Sequence, residues 1–168
     1  RFDKSTDDRC EPSGYERVSG PVGLIIVEGW CFGARPVPED SLGTAINRLE
    51  KQKDPDGVWR RYVNQALSGD YQKLFAMVDR LVMLRAPSFD TVFKWRLQQE
   101  QKLLARFKTS TGRSAPGLMS EHQIHDFIQH FQRITEHSLE EMPARVDHLF
   151  QLDRDRNISV YSQQGKQS

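Results

Sequence analysis

The stretch with the strongest structural demand in this chain is "GPVGLIIVEGWCFG", residues 20–33. Leu24, Ile25, Ile26 and Val27 form an unbroken apolar run that then meets Glu28, Gly29 and Trp30. A strand with one wet face alternates polar and apolar side chains. A continuous apolar run instead suits a strand covered on both faces, as in a parallel sheet. The stretch therefore predicts an α/β fold with helices on either side of its sheet.

Other segments fit that expectation. "DRLVMLRAP" predicts a second strand over residues 79–86, ended by Pro87. "VDHLFQLD" predicts a third, and "ISVYS" a short final one. Between them lie long helical patterns. Leu42, Ile46 and Leu49 share one face before the turn residues Asp54, Pro55, Asp56 and Gly57. "VWRRYVNQALSGDYQKLFAMVD" reads as helix broken near Ser68-Gly69. Ser88 opens a long helix over 89–108 with an apolar stripe through Phe89, Val92, Phe93, Leu97, Leu104 and Phe107. Residues 109–117 form a Ser/Thr/Gly/Pro loop, after which Ser120 and Gln123 make a capping-box pair. The helix they start carries Ile124, Phe127, Ile128, Phe131 and Ile134. Strands alternating with helices predict a mostly parallel sheet in one domain over residues 1–160, with a disordered tail at 161–168. A sheet of three firm strands leaves two open edges. The first residue is Arg1 rather than methionine. Further strands are therefore expected upstream of Arg1.

Charge narrows the function classes. Lys plus Arg number 24 and Asp plus Glu 23, a balance that argues against a nucleic-acid or membrane-surface partner. No apolar run approaches the ~20 residues that span a bilayer, and the polar start "RFDKSTDDRC" is not a signal peptide. Cys10 and Cys31 are too few for a disulfide framework and read as reduced thiols of a cytoplasmic protein.

In open α/β sheets, ligands bind beyond the carboxyl ends of the strands. Glu28, Arg85 and Asp153 fall there, the last followed by Arg154, Arg156 and Asn157. Glu28 reads either as an ordinary wet strand end or as a carboxylate holding Mg²⁺ through water. Arg96 and Glu100, four apart on the long helix, read either as a surface ion pair or as an arginine aimed into a site. Lys94, Lys102, Arg106, Lys108 and Arg113 surround the flexible loop, as a closing lid or as a solvated face. His122, His125, His130 and His137 crowd one helix without the carboxylate or cysteine set of a metal centre, so they read as a wet face. No GxSxG, HExxH or CxxC occurs, and no phosphate-cradling GxxxxGK[ST].

Taken in order, "RFDKSTDDR", "GPVGLIIVEGWCFGARP", "VNQALSGDYQKLF", "DRLVMLRAPSFDTVFKWRLQQE", "GLMSEHQIHDFIQHFQRITEH" and "LDRDRN" resemble the D-glycerate 3-kinase family. This P-loop kinase group is related to uridine kinase, phosphoribulokinase and pantothenate kinase. The resemblance covers roughly residues 1–160. It implies transfer of the γ-phosphoryl group of ATP to a hydroxyl, with Mg²⁺ as cofactor and D-glycerate as the leading acceptor. Glu28 would match the strand-end carboxylate near Mg²⁺. Asp3, Lys4 and Arg9 would match a loop facing the acceptor, with Arg9 on its carboxylate and Asp3 orienting the hydroxyl or acting as base. Trp30 would pack or line the acceptor side, and Arg96 would match a lid arginine touching the transferring phosphate. Arg154 and Asn157 would lie near the adenine, or form a plain turn. The sequence departs from the family at Cys31 and in lacking the Walker A loop, so it resembles a C-terminal portion that would be inactive alone. A related kinase for a nucleoside or pantothenate-like alcohol, or a degenerate kinase used as a binding module, are the competing expectations.

Overall fold

A computed structural model describes residues 2–3, 8–111 and 119–163. Two short strands, β1 (Phe2–Asp3) and β2 (Asp8–Arg9), pair antiparallel. Three helices follow: α1 (Arg48–Lys53), α2 (Val58–Ser68) and α3 (Asp70–Phe75). Strand β3 (Val82–Arg85) leads into α4 (Phe89–Thr111) and α5 (Glu121–Glu141), then β4 (His148–Leu152) and β5 (Ile158–Gln163).

The main sheet has the order β3-β4-β5. β3 and β4 run parallel, with Val82 opposite His148 and Arg85 opposite Gln151. β5 returns antiparallel as a hairpin, with an irregularity at Gln151/Leu152. The sheet is thus mixed, where a mostly parallel one was expected, because the tight turn after β4 can only reverse the chain.

The apolar run at 24–28 departs furthest from expectation. Residues 24–28 form no strand, and Leu24, Ile25, Ile26 and Val27 are 75%, 75%, 81% and 59% exposed. An apolar run specifies burial on both faces, but a strand forms only where neighbours complete its hydrogen-bond ladder. No described strand lies beside this one. At the other end, β5 reaches Gln163, so the first residues of the expected tail are strand, and 164–168 lie outside the described residues.

The core lies where α5 and the turn after it cover the sheet. Met83, Met142, Val146 and Leu149 are buried together, with Leu81 and Leu139 packed against them. Ser120 and Gln123 cap α5 reciprocally, side chain to backbone in both directions. Asp147 fixes the entry to the sheet by accepting from Leu81 N at 2.8 Å and pairing with Arg80.

Buried polar groups wire the segment before α2 to the helices. Arg60 donates to the carbonyls of Leu42 (2.7 Å) and Asp54 (2.6 Å) and is nearly sealed from water. Asn64 both accepts from Val37 N (2.8 Å) and donates to Val37 O (3.1 Å). Gly57 makes this possible: its φ of +72° is left-handed, and a Cβ there would lie 2.9 Å from the Arg60 guanidinium.

Candidate functional site

The parallel strands β3 and β4 direct their carboxyl ends the same way, so the segments leaving them share one edge of the sheet. Arg85 ends β3, and its Nε donates to Leu139 O at 3.1 Å, tying the strand to α5. Four residues on, α4 begins.

β4 runs into a turn organised by Asp153. Its Oδ1 accepts from Asp155 N and Asn157 N, both at 2.8 Å, and its Oδ2 accepts from the Asn157 amide at 3.0 Å. The Asn157 side chain, then its backbone N–H, hold the Asp153 carboxyl below the usual carboxylate range. Asn157 therefore shapes the turn whatever else it contacts. Arg154 is exposed, while its carbonyl accepts from Trp95 Nε1 at 2.8 Å. Arg156 adopts a left-handed φ of 68° and sets its guanidinium 5.2 Å from the Trp95 ring centroid. Trp95 thus fastens α4 to the turn beyond β4. It sits beside Arg96 in the "KWRLQ" motif, and that adjacency is the only signal of its role in the sequence.

Arg96 pairs with Glu100 on α4, the carboxylate almost fully buried and the guanidinium partly so. The other carboxylate oxygen of Glu100 accepts from Met119 N at 2.8 Å. Burial pushes the Glu100 carboxyl up, but the Met119 N–H and the Arg96 guanidinium outweigh it and hold the group ionised below its ordinary range. The pair therefore ties α4 to the residue just before α5.

Glu28 is exposed and makes no hydrogen bond or ion pair among the described residues. It precedes a tight turn in which Phe32 N bonds to Gly29 O and Ala34 N to Cys31 O, both at 3.2 Å. Trp30 packs from this turn onto α5, stacked on Phe131 with centroids 4.9 Å apart. Burial pushes the Cys31 thiol up to about 11, so it is held as the unreactive thiol. Arg9 is exposed on β2, and Asp3 pairs with Asp8 across the β1–β2 ladder. Lys4 lies outside the described residues, as does 112–118, the greater part of the expected lid loop. No hydrogen bond or ion pair joins Glu28, Arg9, Arg96 and Arg154 to one another among the described residues.

The histidine-rich helix gathers around Asp126, which pairs with Arg48 and lies 3.4 Å from His122 Nε2. No group of three His, Cys, Asp or Glu side chains placed to hold a metal ion occurs among the described residues. No helix among them is long and apolar enough to cross a membrane.

The fold is that of an α/β protein with a mixed sheet flanked by helices, and its relatives are kinases. The chain is 32% identical over 135 residues to the uncharacterized kinase mug58 of Schizosaccharomyces pombe, an alignment covering 77% of this chain and 45% of that protein. One further relative and one solved structure of similar fold carry the name D-glycerate 3-kinase. The chloroplastic enzyme of Arabidopsis thaliana is 27% identical over 135 residues, covering 78% of the chain and 25% of that protein. The solved structure from Cryptococcus neoformans var. grubii superposes with a TM-score of 0.62 at 22% identity, covering 87% of this chain and 51% of that one, a likeness of fold. The chain thus spans less than half the length of the two curated relatives. No family model matches it.

Proposed function

We propose that this chain is part of an ATP-dependent small-molecule kinase whose acceptor is D-glycerate. The observation that carries this reading is the similarity, over 135 residues, to two proteins named as kinases, one of them a D-glycerate 3-kinase. In the proposed reaction the acceptor hydroxyl oxygen forms a bond to the γ-phosphorus of ATP. The bond from that phosphorus to the bridging oxygen breaks, ADP leaves, and the hydroxyl proton passes to a base. Such transfer is catalysed mainly by positioning and charge stabilisation.

Glu28 is the proposed Mg²⁺-side carboxylate. Mg²⁺ at a nucleotide takes one or two carboxylates beside phosphate oxygens and water, and an exposed carboxylate without a protein partner fits that need. The ion would supply neutralisation of phosphate charge. Arg96 is the proposed contact to the transferring phosphoryl group, reached when the guanidinium is shared with or released from Glu100. Asp3, Lys4 and Arg9 are the proposed residues of the acceptor side, with Trp30 as a wall, and Arg154 and Asn157 are proposed to border the adenine. Residues 1–160 form one part of a single P-loop kinase domain. The free thiols of Cys10 and Cys31 support a cytoplasmic setting.

The reading needs a triphosphate cradle, and no GxxxxGK[ST] loop occurs in these 168 residues. The test therefore uses the protein at its natural length, in a coupled ADP-release assay with D-glycerate, nucleosides and pantothenate as acceptors. ADP release dependent on D-glycerate is expected. Release that depends on another acceptor would move the assignment there. ATP binding without transfer to any acceptor would identify a non-catalytic binding module.

A further inference from the structure

A cavity of about 280 Å³ opens between the start of α1, the first two turns of α4 and the middle of α5. Its size, just below the ~300 Å³ at which pockets for drug-sized ligands begin, suits a small metabolite. Its floor is apolar, with Ile128 fully buried and Phe93 set edge-on to His125 at 5.7 Å.

The polar groups around it divide into those already committed and those open to a ligand. The Gln129 amide is committed: its Oε1 accepts from Leu49 N at 3.0 Å, which turns its Nε2 toward His125 Nδ1 at 3.3 Å. The same nitrogen donates to His125 O at 3.1 Å, so the amide is fully engaged. Arg48 is half exposed and engages Asp126 through one terminal nitrogen, leaving its remaining N–H groups available. Asp90, in the first turn of α4, is exposed and has no hydrogen bond or ion pair among the described residues. A guanidinium, an exposed carboxylate and an imidazole thus line one small, partly apolar cavity.

Its place in the fold agrees with that chemistry. α4 starts four residues after β3 ends, so Asp90 lies beyond the carboxyl end of a parallel strand. Arg96 follows six residues later, roughly 9 Å along the helix axis at 1.5 Å per residue.

We propose that this cavity is the acceptor subsite and that it takes a small hydroxycarboxylate, Arg48 holding the carboxylate and Asp90 accepting from the hydroxyl. The proposal rests on the kinase reading above and deepens it. Guanidinium matches carboxylate in two parallel hydrogen bonds, and Arg48 stands at the open side of this cavity. Arg9, the other guanidinium assigned to the acceptor side, stands exposed on a two-residue strand.

The experiment is steady-state kinetics and calorimetric D-glycerate binding on the natural-length protein. Arg48→Met and Asp90→Asn are each expected to raise the KM for D-glycerate about tenfold, as loss of a charged hydrogen bond does, with the KM for ATP within about twofold. Asp126→Asn is the control, since it breaks the same ion pair while keeping the guanidinium. It should leave the D-glycerate KM unchanged or lower it. If Arg48 only ties α1 to α5, Arg48→Met and Asp126→Asn will act alike, and the proposal falls. It also falls if wild type phosphorylates D-glycerate and neither Arg48→Met nor Asp90→Asn changes its KM, an outcome that leaves the kinase reading standing. Wild type that neither binds nor phosphorylates D-glycerate overturns both. Asp90→Asn, at an exposed and unpartnered position, keeps the test decisive should Arg48→Met fail to fold.

Discussion

Glu50 and Arg133 stand 83 residues apart in sequence and meet in a two-pronged ion pair, Nε to Oε1 at 2.8 Å and a terminal nitrogen to Oε2 at 2.6 Å. Both side chains are only 11% exposed. Arg133 also donates to Ser41 O and Thr44 O, and Glu50 also accepts from Ile46 N, so the pair joins α5 to the segment leading into α1. Breaking a buried pair from one side leaves a charge without its partner. Glu50→Gln is expected to cost about 3 kcal/mol, a fall in Tm of roughly 6–12 °C for a domain of this size.

The same pair sets a pH dependence. Burial pushes the Glu50 carboxyl up, but hydrogen bonds from Arg133 and Ile46 N–H outweigh it, so its folded pKa lies below the ordinary 4.5. A depressed carboxylate contributes stability that is full above its unfolded pKa and is lost as pH falls through the folded one. Chemical denaturation from pH 7 down to pH 3 should show wild type losing stability below about 4.5. Glu50→Gln should show a shallower loss over the same window.

Gly57→Ala tests the left-handed turn at the start of α2. The new Cβ would meet the Arg60 guanidinium at 2.9 Å in a backbone conformation that disfavours side chains. Arg60 would have to release Leu42 O or Asp54. A loss of roughly 1–3 kcal/mol is expected, read as a lower denaturation midpoint at constant m-value.

Asn157→Ala removes the first of the groups that lower the Asp153 pKa. The Asp153 carboxyl should then titrate at higher pH, toward its ordinary 3.8, which NMR titration of the side-chain carboxyl carbon will follow. An unmoved titration would mean that the backbone N–H groups of Asp155 and Asn157 carry the turn by themselves.

Glu28→Gln, made in the natural-length protein, is expected to lower kcat by about a hundredfold or more, at the scale of losing one transition-state charge contact, while the KM for ATP changes little. A carboxylate that organises a metal at the transferring phosphoryl group acts mainly on the transition state. Unchanged turnover would remove Glu28 from that role.

Local chemistry makes several elements legible in the sequence. Ser120 and Gln123 announce the start of α5, Pro87 the end of β3, and Gly69 the break between α2 and α3, because caps and breakers act on their own turn of chain. The strand at 148–152 and its return at 158–163 are legible for the same reason, as short apolar runs on either side of a polar turn. Leu24–Val27 reads as a buried strand and stands exposed, since a run of side chains states a preference for burial but cannot supply the neighbouring strand. Pairings at long range are beyond the sequence altogether. Nothing near Glu50 points to Arg133, Trp95 gives no sign of Arg156, and Arg48, Asp90 and His125 come from three helices that only packing brings around one cavity. Where α5 starts, where β3 ends and where α2 gives way to α3 is written in the chain itself, because caps and breakers act over a few neighbouring residues. Which charges are paired, and which stay free to meet a ligand, is settled only by the folded arrangement, because pairing depends on distances that folding sets.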